Sequence, residues 1–186
     1  MSAAPSFDRQ LAVGRVGESL IARWLRSRGH SVMPVYEIEK PEGKGPRLFL
    51  ASVDLIAPDM LAFKGTGARW IEAKSKGAFT WHRVTGRYVT GIDLRHYLDY
   101  LQVDEASPWP VWLMFLQRGG RAKDTPPHVP DSPAGLFGHR LAYLREHENH
   151  RAPPSQWGSG GMVYWAHETL IQLATLEEVC AAGREA

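Results

Sequence analysis

Residues 70–77 read Trp-Ile-Glu-Ala-Lys-Ser-Lys-Gly. The stretch opens apolar, as a buried strand does, and then carries one acid and two lysines. Side chains alternate along a strand, so Glu72 and Lys74 share one face while Ile71 and Ala73 take the other. An acid-x-lysine triplet arises by chance in about half of chains this long at ordinary composition. Its weight therefore comes from what surrounds it. Upstream, Asp54 sits inside another apolar run, Ser-Val-Asp-Leu-Ile-Ala at 52–57. A buried carboxylate is costly without a partner. Two neighbouring carboxylates also repel, and a hard divalent cation such as Mg²⁺ removes that repulsion by taking oxygen ligands.

A third acid belongs to the first helix. Val16, Leu20 and Trp24 recur at i, i+4 and i+8, which predicts an amphipathic helix over about 7–28, stopped by Gly29. Glu18 stands three residues before Ile21 and seven before Leu25, at the border of the apolar stripe. It follows Gly-Arg-Val-Gly (14–17), whose glycines permit close backbone approach. Taken alone, an exposed helical glutamate is the commoner reading of such a residue.

Beyond this helix the pattern predicts a strand over 30–38, with Pro34 arguing for an edge. A loop over 40–46 and a strand-like run over 47–58, broken near Ser52, come next. Strands at 60–63 and 69–74 are joined through Lys-Gly-Thr-Gly, and 77–91 reads as a loop with short extended pieces. A helix over 92–106 precedes a continuously apolar, central strand at 110–117. Residues 118–161 are rich in Gly and Pro and read as a loop-rich insertion with one short helix within 135–148. A strand near 162–168 and a helix over 175–182 close the chain, with Thr175 and Glu178 spaced as a capping box. This order predicts one α/β domain over 1–186: a core of 7–117 plus 162–182 around a central mixed sheet flanked by helices.

These residues carry a resemblance. Gly-Arg-Val-Gly-Glu in the first helix, then Val-Asp-Leu-Ile, then Glu-Ala-Lys resembles the PD-(D/E)xK nuclease superfamily, most closely its archaeal Holliday-junction-resolvase-like group. The match covers roughly residues 11–77. The resemblance implies a restriction-endonuclease-like core and metal-dependent hydrolysis of DNA phosphodiester bonds, with branched DNA as a substrate. Position by position, it implies that Asp54 and Glu72 hold Mg²⁺ or Mn²⁺ with the backbone carbonyl of Ala73, and that Glu18 assists. Lys74 matches the lysine that orients or activates the attacking water. In this match the residue before Asp54 is Val53 rather than proline. Cutting a junction symmetrically would also call for a homodimer.

Charge agrees with a nucleic-acid partner locally rather than globally. Net charge is only +2, yet Lys64 to His96 holds seven Lys and Arg against Glu72 and Asp93. Lys76, His82, Arg83, Arg87, Arg95 and His96 are the candidate phosphate contacts. A solvated basic face is the competing reading. Phe79, Trp81 and Tyr88, interleaved with them, either stack on bases or close a small core. Two His in His-Glu-Asn-His (147–150) lack a third ligand for zinc. Gly-Ser-Gly-Gly (158–161) lacks the Lys of a phosphate-binding loop.

The remaining composition narrows the class. With 44% hydrophobic and 23% charged residues the chain is an ordinary globular one. No apolar run approaches the ~20 residues that span a bilayer. The first ten residues lack the basic start and apolar stretch of a secretory leader. Cys180 is alone, so no intrachain disulfide is available. These features lead us to expect a reducing, cytoplasmic setting. A nuclease-like module that grips nucleic acid without cutting is the alternative expectation.

Overall fold

The apolar alternation around Ile71 is what places the central strand. The computed structural model describes residues 7–35, 46–154 and 160–183, with side chains from residue 14 onward. In chain order the elements are α1 (Phe7–Ser27), β1 (Ser31–Pro34), β2 (Arg47–Phe49), β3 (Asp54–Ile56), β4 (Met60–Lys64), β5 (Gly67–Lys76), β6 (Thr80–His82), β7 (Arg87–Asp93), α2 (Leu94–Ala106), β8 (Val111–Gln117), β9 (Gly135–Arg140), α3 (Leu141–Glu146), β10 (His150–Ala152), β11 (Met162–Ala166), a 3-10 turn (His167–Thr169), β12 (Ile171–Ala174) and α4 (Leu176–Ala182).

The central sheet has six strands in the order β1-β4-β5-β8-β9-β12. It is mixed: β5 and β8 are parallel, with Glu72 opposite Leu113 and Lys74 opposite Phe115, and the other pairs are antiparallel. Each strand sends alternate side chains to opposite layers. Met60, Ala62, Ile71, Ala73, Met114 and Leu116 meet Ile21, Trp24 and Leu25 of α1 and Val179 of α4. Leu61, Trp70, Leu113 and Phe115 meet Tyr97, Tyr100 and Val103 of α2 on the other side.

A second sheet, ordered β10-β11-β7-β6, is assembled from two separate stretches of chain. Ile92, Val163 and Trp165 bury its inner face against the α2 side of the central sheet. β2 and β3 form a two-stranded sheet of their own.

Several expectations change here. The segment 118–161 is irregular only at first. At Gly135 it enters the central sheet as β9 and then forms α3, with Leu136, Phe137, Leu141 and Leu144 buried. The short helix expected within 135–148 is thus a strand followed by six helical residues. The expected loop over 77–91 is the β6–β7 hairpin, and Ile92 ends β7 rather than opening α2. Asp93 caps α2 by accepting from the Arg95 N–H at 2.8 Å. The Thr175–Glu178 capping box is present, and Pro34 lies on the edge strand β1. Most of the expected 40–46 loop falls outside the described residues. No helix among the described residues is long and apolar enough to cross a membrane.

Candidate functional site

β4 and β5 form a hairpin whose last registered pair at the open end is Met60 and Ile71. One step further, Asp59 stands opposite Glu72. The strands part here, so the β4-facing edge of β5 is open for side-chain capture. The Ala73 N–H donates to Asp59 Oδ2 at 2.8 Å. A strand residue's N–H and C=O leave by the same edge, so the Ala73 carbonyl also faces this opening.

Glu72 is fully buried, 0% exposed. Both of its oxygens lack a hydrogen bond of good geometry. The Lys74 ammonium nonetheless contacts Oε1, and the Asp59 carboxyl and Tyr100 hydroxyl border the group. Burial and then repulsion from Glu72 push the Asp59 carboxyl up to about 7, against opposing pulls from Lys74 and the Ala73 N–H. Burial alone would lower Lys74, but Glu72 and then Asp59 overcome it and hold the ammonium above its ordinary value.

α1 reaches the same place because Gly17 lacks a side chain. A Cβ there would lie 2.4 Å from Ser75 Cβ, so only glycine lets the helix cross β5 at this height. The next residue, Glu18, then acts on Lys74 and lines a cavity of about 360 Å³ together with Asp59. Val32, Pro34, Met60 and Arg26 complete much of its wall. From the opposite layer, α2 brings His96 and Tyr100. Burial and then the Lys74 ammonium lower the His96 pKa.

The expected site residues therefore divide. Glu18, Glu72, Ala73 and Lys74 come together. Asp54 does not join them: it is exposed on β3, opposite Phe49 in the separate two-stranded sheet. Asp59 takes the place given to it, because β3 ends at Ile56 and the chain turns through Ala57–Pro58 before entering the central sheet. The Pro58–Asp59 pair was the available signal. Tyr100 was likewise read only as part of a helix.

The basic set divides too. Lys76 lies beside Lys74, and burial followed by that ammonium lowers its pKa. Arg95 acts on His96. His82, Arg83 and Arg87 instead occupy the far end of the β6–β7 hairpin, six residues along β7 from α2, or about 20 Å of strand. There Arg83 pairs with Asp124 at 2.7 Å, and His82 stacks on His150 with ring centroids 3.8 Å apart. Trp81 and Tyr88 pack edge to face, and Phe79 is wholly buried. Among the cations of 118–151, Arg121, Arg145 and Arg151 are tied to Asp131, Glu105 and Glu148.

Among the described residues, no three His, Cys, Asp or Glu side chains stand grouped as a ready metal cluster. The arrangement is two facing carboxylates, a lysine between them and solvent, and a third acid across a cavity.

No family model matches the sequence, and no curated protein sequence matches it. A solved structure does match. The Holliday junction resolvase Hjc of the archaeal hyperthermophile Archaeoglobus fulgidus superposes with a TM-score of 0.50 at 10% identity, covering 91% of this chain and 100% of that one. The fold is therefore restriction-endonuclease-like: a central mixed sheet flanked by helices.

Proposed function

We propose that this protein is a metal-dependent nuclease that hydrolyses DNA phosphodiester bonds, with branched, Holliday-junction-like DNA its first substrate class. One observation carries the reading: Asp59 and Glu72 face each other across the open end of the β4–β5 hairpin, with Lys74 on the same strand face as Glu72.

The donor set fits a hard divalent ion. Two mutually repelling carboxylates, one wholly buried with poorly satisfied oxygens, are the charge pattern that Mg²⁺ or Mn²⁺ relieves. Asp59, Glu72 and the Ala73 carbonyl would hold it, with Glu18 assisting from α1. Asp59 thus takes the role first expected of Asp54. The bound ion would lower the pKa of a water and polarise the phosphoryl oxygen. Lys74 stabilises the negative charge that develops on the attacked phosphate. Lys76, Arg95 and His96 line up to hold neighbouring phosphates, which fixes the scissile bond over the carboxylates.

The test is cleavage of single-stranded, blunt, flapped and four-way DNA, with RNA as a control, in Mg²⁺ or Mn²⁺. Asp59→Ala, Glu72→Ala and Lys74→Ala are each expected to lower the rate at least ~100-fold, while Asp54→Ala cuts like the parent. Failure to cut every substrate at saturating metal would sink the reading. Sedimentation with a four-way junction checks the homodimer that symmetric cutting calls for.

One observation favours a non-cleaving nucleic-acid-binding module instead. Lys74 already neutralises Glu72 internally, and no three-ligand cluster stands ready among the described residues. DNA binding that ignores both metal and Glu72→Ala would select that alternative.

A further inference from the structure

We infer that Tyr100 is a positioning residue for the metal site: its hydroxyl donates to Glu72 and holds that carboxylate in its ligating orientation. The inference rests on the nuclease reading and adds a residue from the opposite layer of the fold.

Tyr100 is 2% exposed, on the α2 face that packs against Leu113 and Phe115 of the central sheet. A buried phenol needs a partner for its O–H, and the group its hydroxyl meets is the Glu72 carboxylate. His96, one turn earlier, lies against the Tyr100 ring with centroids 6.1 Å apart. The ring is therefore clamped between a helix and a sheet, with two torsions to fix. Burial, then Glu72 and Asp59, raise the phenol far above its ordinary pKa, so it remains a donor at any working pH.

An ionised carboxylate offers about four lone-pair positions. Lys74 contacts Oε1 from the solvent side, where its side chain is 30% exposed. Tyr100 approaches from the protein interior and is immobile by comparison. When an ion enters from the open side, the lysine is the group free to withdraw. The tyrosine stays and sets which way the carboxylate turns. Partners of this kind behind a metal ligand change affinity by about 10- to 100-fold when removed.

The experiment is Mn²⁺ titration of the full chain by calorimetry for the parent and Tyr100→Phe, with thermal melting in EDTA alongside. The variant keeps the buried ring and loses only the hydroxyl. We expect Mn²⁺ affinity about 10- to 100-fold weaker, and cleavage restored towards the parent rate by excess Mn²⁺. Equal Mn²⁺ affinity in the two proteins overturns the inference and leaves the nuclease reading standing. No Mn²⁺ binding by the parent overturns both. A readout in the unsubstituted protein covers the case of a variant that folds poorly. With ¹³Cζ-tyrosine labelling, the most buried tyrosine signals should include one that shifts on Mg²⁺ addition, with the remainder unmoved. A spectrum unchanged by Mg²⁺ at concentrations that saturate binding also overturns it.

Discussion

Asp59 keeps a proton that the unfolded chain gives up. Its folded value is about 7 against an ordinary 3.8. The sign follows from linkage. The associated stability is fully present below pH 3.8 and is lost as pH rises through 7. In EDTA, the metal-free protein should therefore lose stability between pH 4 and 7 through this group, and Asp59→Asn should flatten that slope. Melting temperatures across that interval, parent against variant, check it. Parallel slopes would show that Asp59 is not the source. At this scale the sequence exposed Glu72, Lys74 and Glu18, because spacing along one strand and one helix face is a local property. It misassigned Asp54. That residue sits in an apolar run, while Asp59 gains its place from the register between two strands, which a single run does not encode. His82, Arg83 and Arg87 misled for the related reason that neighbours in sequence diverge along a hairpin.

Among the elements, α1 is positioned by an absence of atoms. Alanine at position 17 would gain about 1 kcal/mol in helix propensity. Its Cβ would also press on Ser75, and overpacking of that kind costs about 1–3 kcal/mol. The clash should win or at best balance, and it should lift Glu18 from the cavity it shares with Asp59. Gly17→Ala is thus expected to lose cleavage more than stability, and adding Ser75→Gly should return both. Urea denaturation and cleavage rates of the two variants decide it; a Gly17→Ala protein with full activity would contradict the packing argument. Helix α4 was legible to the residue because a capping box is a three-residue signal. Strand β9 was not, since Gly-Leu-Phe-Gly-His-Arg shows neither a helical period nor clean alternation. What makes it a strand is the β8 edge it completes, with Leu116 opposite Leu136 and Phe115 opposite Phe137.

Across the whole molecule, two sheets share one core. Trp165 of the second sheet is wholly buried, donates to the Leu144 carbonyl at 2.7 Å and contacts both Tyr97 of α2 and Phe115 of the central sheet. Removing it should therefore weaken everything together. Trp165→Ala is expected to cost about 3–5 kcal/mol and to leave a single unfolding transition. Fluorescence and far-UV dichroism in urea should coincide, and separated transitions would mean that the sheets are independent units.

Helices α1 and α4 clasp one another although they come from distant parts of the chain. Arg23 donates to the Gly183 carbonyl at 2.9 Å, and Arg28 meets Glu178 at 3.0 Å. Ile21 and Leu25 share their apolar layer with Val179. On the ribosome, about 150 residues separate the emergence of one helix from that of the other. At about 5–20 residues per second, α1 waits on the order of ten seconds or more for that partner. Its apolar stripe is incompletely covered throughout that interval, and contacts of such long sequence separation are slow to close. The nascent chain is thus most exposed to chaperones and to mispairing before its last helix is made, and the layer beneath Glu18 is among the last parts of the molecule to be completed.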